Sequence, residues 1–116
     1  MTVQLQNVVI DSADAAKLAS FWADATGWEV AEWSNAGEAM VRNPGPGVNL
    51  YFMGVPEEKA GKNRVHLDIG PAEGSTAGAE IARLVGLGAR VLTPHDGYTV
   101  LADPEGNEFC VTGDRD

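Results

Sequence analysis

LADPEGNEFCV, residues 101–111, has the pattern of a closing β-hairpin. Pro104 sets the backbone for a turn, and Gly106 and Asn107 are residue types that accept a positive φ. The apolar residues on both sides of this turn favour strands. The stretch therefore predicts two antiparallel strands at the end of the chain, and the other elements can be assigned outward from it.

The first half of the chain predicts a strand-helix-three-strand unit. Residues 2–11 are rich in β-branched and apolar residues, which favours a strand. A helix follows, with Asp14 as its N-cap and Gly27 as its left-handed stop. Its apolar face carries Leu18, Phe21 and Trp22. Three short strand-like runs complete the unit, and turn-forming clusters separate them: WEVAEWS, EAMVRNP and VNLYFMGV.

The same order recurs in the second half. The first repeat covers about residues 1–55, a charged connection covers 56–62, and the second repeat covers about 63–116. A helix over residues 76–86 is predicted to end at Gly88 and to turn three apolar side chains inward: Ile81, Leu84 and Val85. The four strand runs of this half are NRVHLDIG, ARVLTP, YTVLADP and NEFCVTG.

Alignment of the two halves of the sequence at a fixed spacing supports an internal duplication. Three pairs of corresponding positions are each 59 residues apart: Asn7 with His66, Asp14 with Glu73, and Tyr51 with Cys110. The helix-terminating glycines are 61 apart, so the second helix and its loop are two residues longer. Residue identity between the halves is poor, and the repeat rests on pattern and spacing.

Composition limits the classes of function. At 116 residues and 12.2 kDa the chain has the size of one domain, and no apolar run is long enough to cross a bilayer. Its formal charge of −9 disfavours nucleic acid and anionic membranes as partners. The same charge serves solubility, or it attracts cationic small molecules. One cysteine, Cys110, excludes an internal disulfide, and with no secretory signal pattern at the amino terminus it predicts a cytoplasmic protein.

Three stretches together resemble the vicinal oxygen chelate superfamily, which includes glyoxalase-like and bleomycin-resistance-like proteins. They are DAAKLASFWADATGWEV, RVHLDI and LADPEGNEFCV. The resemblance covers nearly the whole chain. It implies one α+β domain over residues 1–116, in which two tandem β-α-β-β-β units form a curved eight-stranded mixed sheet. This half-barrel would carry its helices on the convex side and its ligand site on the concave side. It also implies a homodimer, since relatives cover open sheet edges with a second copy.

The resemblance also implies where a metal would bind. Metal-dependent members bring four side chains together from the first and last strands of each unit. The corresponding residues here are Asn7, Tyr51, His66 and Cys110. Only His66 is a good ligand for a divalent ion, so we predict no metal ligands and no cofactor. Glu108 shares a strand face with Cys110 and leaves a degenerate metal site as an alternative.

His66 and Asp68 are the predicted catalytic residues, because side chains two apart on a strand share a face and could act as a general acid/base couple. The alternative for His66 is a hydrogen-bonded structural histidine. Trp28 and Trp33 are five residues apart in the second strand run and so are expected to face opposite sides, with Trp33 looking into the cavity and Trp28 covering the core. The alternative is that both are packing residues. The predicted ligand contacts are Asn7, Val9, Trp33, Tyr51, Met53, Glu108 and Cys110.

Three functions stay open at this point. A protein that binds or sequesters an organic small molecule is favoured by the missing carboxylate ligands, the acidity and the tryptophans. An enzyme of the glyoxalase, lyase or dioxygenase type, metal-dependent or acid/base, is favoured by His66 and Asp68. A scaffolding protein would need no cavity at all.

Overall fold

A computed structural model of the chain describes residues 1–114. These residues form two compact units, Met1–Glu58 and the part from Lys59 onward. The first contains β1 (Asn7–Ser12), α1 (Ala15–Thr26), β2 (Glu29–Val30), β3 (Glu38–Arg42) and β4 (Asn49–Gly54). The second contains β5 (Leu67–Ile69), α2 (Ala77–Leu87), β6 (Arg90–His95), β7 (Tyr98–Ala102) and β8 (Glu108–Thr112). The predicted α+β class, built from two tandem β-α-β-β-β units, is confirmed.

Each unit forms its own four-stranded mixed sheet with the same strand order. The first sheet is ordered β1-β4-β3-β2 and the second β5-β8-β7-β6. In both sheets the first strand of the unit is parallel to the last, and the other pairs are antiparallel. Val9 pairs with Tyr51 in the first sheet and Asp68 pairs with Cys110 in the second. Both members of the second pair lie 59 residues after their counterparts in the first pair. The spacing found in the sequence therefore means that the two sheets pair their first and last strands in the same register.

Helix α1 has the predicted caps and core face. The Asp14 side chain accepts a hydrogen bond from the Lys17 amide, and Gly27 ends the helix with φ 77°. Its buried face includes the three predicted residues, Leu18, Phe21 and Trp22. Neither helix within residues 1–114 is long and apolar enough to cross a membrane.

Helix α2 differs from the prediction at one core position. Thr76 is its N-cap, and Ile81 and Leu84 are buried, but Val85 is 46% exposed. The buried stripe runs through Ala77, Ile81 and Leu84, which are four and three residues apart. This stripe is narrow, and Val85 lies one residue beyond it, which turns the side chain about 100° away from that of Leu84.

Three predicted strands are shorter in the structure. Residues 2–6 are exposed and not in a strand, and β1 starts at Asn7 because its partner β4 starts opposite it, at Asn49. Strand β2 ends at Val30, since a turn follows in which the Ser34 amide donates to the Ala31 carbonyl. Strand β5 was predicted over residues 63–70 and contains only Leu67–Ile69, the residues that pair with β8.

The closing turn forms by a different device from the one expected at Asn107. Gly106 takes a φ of 86°, but every positive φ within residues 1–114 belongs to a glycine. Instead, the carboxylate of the buried Asp103 accepts hydrogen bonds from the amides of Glu105 and Asn107, at 2.9 and 3.0 Å. The Asn107 side chain also donates to Asp103, at 3.0 Å. These bonds position Glu108 at the start of β8.

Candidate functional site

The second unit carries a cavity on the open face of its sheet. The opposite face is filled by the buried side chains of Leu101, Phe109 and Val111. Because side chains alternate along a strand, Val100 on β7 and Cys110 and Thr112 on β8 point to the open face. The cavity there has a volume of about 450 Å³. Its lining includes Lys62, His66, Asp68, Tyr98, Val100, Glu108, Cys110 and Thr112.

Strand register brings His66, Asp68 and Cys110 together in this cavity. Asp68 on β5 lies beside Cys110 on β8, and His66 precedes Asp68 by two residues. The His66 Nε2 atom is 3.3 Å from Asp68 Oδ1, and one polar atom from each of the three side chains lies within 4.8 Å of the others. About half of the His66 and Asp68 side-chain surface is exposed, whereas Cys110 is buried. We call these three residues the His-Asp-Cys cluster.

The cluster holds Cys110 in its protonated form. Burial raises the pKa of the thiol, and the negative charge of Asp68 and a hydrogen bond to that carboxylate raise it further. The positive charge of Lys62 acts in the opposite direction and is a smaller effect than burial. A protonated thiol is a weak nucleophile and a poor metal ligand. Cys110 is therefore a hydrogen-bond donor to Asp68 in this arrangement.

Glu108 lies at the edge of the cavity but is occupied by contacts within its own unit. Its carboxylate accepts a hydrogen bond from the Asn63 amide at 2.9 Å, and Lys62 and Lys59 lie 3.0 and 3.6 Å away. The hydrogen bonds from Asn63 and Lys62 lower the pKa of Glu108, and the two lysine charges lower it further. This residue therefore fastens the segment before β5 to β8. Within residues 1–114 it is not among the groups placed to hold a metal ion.

The donor atoms of the cluster fit a metal ion only in part. One imidazole nitrogen, one carboxylate oxygen and one thiol sulfur suit Zn²⁺ better than Mg²⁺ or Mn²⁺, which prefer oxygen ligands. No fourth His, Cys, Asp or Glu joins them in the described part of the chain. The raised thiol pKa opposes the deprotonation that zinc binding requires. Zinc bound by three protein ligands would leave one position for a water molecule and lower its pKa.

The first unit has a corresponding open face. Val9 on β1 lies beside Tyr51 on β4, and Asn7 and Met53 lie two residues away on the same two strands. The four side chains share the face opposite the buried Leu50 and Phe52. Val9 is 55% exposed and Met53 40% exposed. The sequence pattern therefore assigned all four of these residues to one surface of one sheet.

Trp33 reaches this open face from a turn and not from a strand. The expectation that Trp28 and Trp33 alternate along one strand was wrong, because β2 ends at Val30 and the turn of residues 31–34 follows. The Trp33 indole is 41% exposed, and its ring lies 6.1 Å from the Tyr51 ring at an interplanar angle of 40°. Glu38 on β3 accepts a hydrogen bond from the Tyr51 hydroxyl. Burial, this bond and the charge of Glu38 raise the pKa of Tyr51.

Several site residues were missed by sequence reasoning. Tyr98 and Val100 line the second-unit cavity because β7 pairs with β8, at Tyr98 with Thr112 and at Val100 with Cys110. Their alternation in YTVLA was a usable signal. Lys62 and Glu38 had no local signal, since Lys62 lies in the charged connection and Glu38 at the start of a strand. The contact of Cys110 with Asp68 also depended on an unknown register.

Comparison with known proteins agrees with this architecture. Residues 7–112 match the family model described as glyoxalase-like domain. The chain therefore belongs to the glyoxalase-like family, as its three stretches had indicated. No curated protein matches the sequence significantly.

Solved structures share the fold at low sequence identity. A possible glyoxalase from Bacillus cereus is 18% identical, with a TM-score of 0.75 over 96% of this chain and 99% of that one. A glyoxalase/bleomycin resistance protein/dioxygenase family enzyme from Burkholderia phytofirmans is 16% identical, with a TM-score of 0.78 over 94% and 97% of the two chains. The fosfomycin resistance protein FosX from Mesorhizobium loti is 15% identical, with a TM-score of 0.70 over 97% and 92%. These likenesses concern the fold, which hosts several unrelated reactions.

Proposed function

We propose that this protein binds an organic small molecule in the second-unit cavity and does not need a metal ion to do so. The observation that carries the proposal is the cavity itself, whose volume of about 450 Å³ lies in the range of small-molecule sites. Tyr98 and Val100 supply apolar surface, while His66 and Asp68 supply exposed polar groups. A few polar groups on an apolar lining orient a ligand and select for its functional groups.

The first-unit residues stay proposed ligand contacts. Their common face is supported by the register of β1 with β4 and by the contact of Trp33 with Tyr51. Asn7 can donate or accept a hydrogen bond there, and Val9 and Met53 offer apolar surface. Cys110 and Glu108 act mainly through neighbouring side chains in this proposal, since the thiol bonds to Asp68 and the carboxylate to Lys62.

A screen of small organic amines, acids and neutral aromatics by ligand-observed NMR tests the proposal. Fragments that bind the unmodified protein are tested again with Asp68→Asn and with Glu57→Gln. The second variant removes one negative charge from an exposed residue outside the cavity. We expect Asp68→Asn to weaken binding and Glu57→Gln to leave it unchanged. Equal binding to all three proteins would refute the assignment of the ligand to this cavity.

An enzyme is the second candidate function, and the pairing of His66 with Asp68 at 3.3 Å supports it. A histidine beside a carboxylate can move a proton to or from a bound substrate at neutral pH. The partial zinc fit of the His-Asp-Cys cluster supports a metal-dependent version of the same proposal. Turnover of a bound fragment, followed by NMR with and without chelator, distinguishes an enzyme from a binding protein.

Homodimerisation and a cytoplasmic location are proposals as well. All six residues of β6, the edge strand of the second sheet, are exposed, and Val91 and Leu92 are among them. Exposed apolar edge strands are commonly covered by a partner. Sedimentation at a protein concentration of about 50 µM, a range typical of weak dimers, should show a dimer. A monomer would contradict the proposal of a dimer.

The cytoplasmic location is supported by the single cysteine, Cys110, which has no second cysteine in the chain with which to form a disulfide.

A further inference from the structure

Two carboxylates and two aromatic rings lie together on the open face of the first sheet. Met53 on β4 is flanked by Asp11 on β1 and by Glu38 on β3, each its direct neighbour across the sheet. Two strand spacings therefore separate the carboxylate-bearing positions, which is roughly 10 Å. Tyr51 lies two residues from Met53 and contacts Trp33. We call Asp11, Trp33, Glu38, Tyr51 and Met53 the aromatic-carboxylate face.

The backbone hydrogen bonds of residues 31–38 hold Trp33 and Glu38 in place. The Ala31 amide donates to the Met40 carbonyl at 2.8 Å, and the Met40 amide donates to the Ser34 hydroxyl at 3.2 Å. The Asn35 side chain accepts hydrogen bonds from the amides of residues 37 and 38 at 2.8 and 3.1 Å. A loop bonded in this way keeps its side chains near one arrangement before a ligand arrives, which reduces the entropy lost on binding.

Within the part of the chain that the structure describes, no lysine or arginine neutralises the carboxylates of this face, Asp11 and Glu38, through an ion pair. The nearest cation on the same face of β3 is Arg42, four residues from Glu38, and Glu29 lies directly opposite Arg42 on β2. Four residues of strand correspond to about 13 Å, so Arg42 does not compensate Glu38 at contact distance.

We infer that the aromatic-carboxylate face binds the positively charged group of an organic amine. An ammonium group over the exposed Trp33 ring is attracted by the π electrons when it lies within about 6 Å of the ring centre. Glu38 accepts one hydrogen bond from Tyr51 and, with two oxygens, can accept another from the ligand. The net charge of −9 attracts the same class of molecule over longer distances. This inference rests on the proposed small-molecule function and adds the charge of the ligand.

Three probes that share a phenylethyl-type skeleton test the inference. They are 2-phenylethylamine, which is protonated at neutral pH, the neutral 2-phenylethanol, and the anionic 3-phenylpropionate. Each is titrated into ¹⁵N-labelled protein while amide chemical shifts are followed. We expect the amine to bind about tenfold more tightly than the alcohol, because cation-π attraction and a carboxylate partner together favour the cation. The shifted amides should include those of residues 31–38 and 51–53.

Variants separate a specific site from general charge attraction. Glu38→Gln keeps a hydrogen-bond acceptor for Tyr51 and removes the charge, while Glu57→Gln makes the same change of net charge in the connection between the units. We expect Glu38→Gln to weaken the amine about fivefold and the alcohol little, on the scale of one exposed charge contact, and Glu57→Gln to change neither. Trp33→Leu, at an exposed turn, should weaken the amine as well.

Three outcomes of the probe titration would overturn the inference. The amine and the alcohol could bind equally, no probe could bind, or the amine could shift only second-unit amides such as those of Asp68 and Cys110. The first and third of these outcomes would leave the proposed small-molecule function standing, since binding would still occur. Equal losses from Glu38→Gln and Glu57→Gln would likewise replace the site with nonspecific attraction.

Discussion

The Asp68 carboxylate connects two side chains of different chemistry, because its Oδ1 atom lies 3.3 Å from His66 Nε2 and it also accepts a hydrogen bond from the Cys110 thiol. A single substitution at this residue should therefore alter the behaviour of both neighbours. His66 and Asp68 are exposed enough to contact a ligand, whereas Cys110 lies beneath them. The predictions for the cavity follow from this arrangement.

Replacing His66 by alanine should weaken the binding of cavity ligands about tenfold, the size expected for one lost polar contact in a half-exposed site. The fold should survive, because half of the His66 side-chain surface is already exposed. Ligand-observed NMR with the best-binding fragments measures the affinity, and circular dichroism checks the fold. Arg64→Ala, an exposed neighbour in sequence, is the control and should bind like the unmodified protein. Unchanged affinity of His66→Ala would remove this residue from the ligand site.

The thiol of Cys110 should react slowly with iodoacetamide at pH 7, and its rate should rise only above the pH range of ordinary thiols. The reason is the raised pKa, which lowers the thiolate fraction, together with the burial of the sulfur. Asp68→Asn removes the negative charge that contributes to this shift, so the rise should move to lower pH. Mass spectrometry of the alkylated protein gives the rate at each pH.

The unfolded protein in denaturant provides the control for this measurement, since its thiol should titrate normally. If Cys110 in the folded protein alkylates at pH 7 as fast as in denaturant, the protonated thiol assignment is wrong. If Asp68→Asn leaves the pH profile in place, Asp68 does not contribute to it.

Glu108→Gln should lower the melting temperature near pH 7, because the carboxylate binds the Asn63 amide and the two lysines before β5. Its pKa is lowered in the folded state, so the stabilisation is present above the normal carboxyl pKa. It should be lost as the pH falls through the lowered, folded-state pKa. The melting temperatures of Glu108→Gln and of the unmodified protein should therefore converge as the pH falls below about 4.5.

Thermal denaturation from pH 7 to pH 3 checks this convergence. Glu105→Gln lies in the neighbouring turn and serves as a control for the loss of one negative charge. A difference between Glu108→Gln and the unmodified protein that persists unchanged at pH 3 would show that packing, and not charge, stabilises this segment.

Local signals allowed parts of the fold to be predicted, and pairing partners determined the rest. The caps of α1 at Asp14 and Gly27 involve contacts within a few residues, so sequence alone could identify them. The start of β1 depends on where β4 begins, and the end of β2 on the hydrogen bonds of a turn. The local patterns of residues 2–11 and 28–34 do not determine these two strand boundaries. Period-two patterns therefore predicted which face of a sheet a residue occupies better than they predicted strand length.

The candidate site shows the same division. His66 and Asp68 could be assigned to one face because they are two residues apart in one segment. The addition of Cys110 required the register of β5 with β8. Glu108 was predicted as a ligand contact from its strand face, but its bonds to Lys62 and to the Asn63 amide, which are 46 and 45 residues earlier in the chain, could not be predicted. Contacts of that sequence separation leave no trace in a local motif.

Protein purified without chelator should contain less than one equivalent of Fe, Mn, Ni or Zn per chain, and fragment binding should survive treatment with EDTA. Of the donor groups in the His-Asp-Cys cluster, the thiol has a raised pKa, and the carboxylate accepts a hydrogen bond from that thiol and lies 3.3 Å from His66 Nε2. Displacing the thiol proton lowers the affinity for a metal, and three ligands of mixed type do not suit Mn²⁺ or Fe²⁺. Elemental analysis by mass spectrometry measures the metal content, and NMR before and after EDTA measures fragment binding.

Titration with Co²⁺ adds a direct probe, because a cobalt-thiolate bond would give a new absorption band that Cys110→Ser abolishes. We expect no such band at one equivalent near pH 7. One equivalent of bound metal, with loss of fragment binding or turnover after EDTA, would instead make His66, Asp68 and Cys110 the ligands of a metal-dependent enzyme.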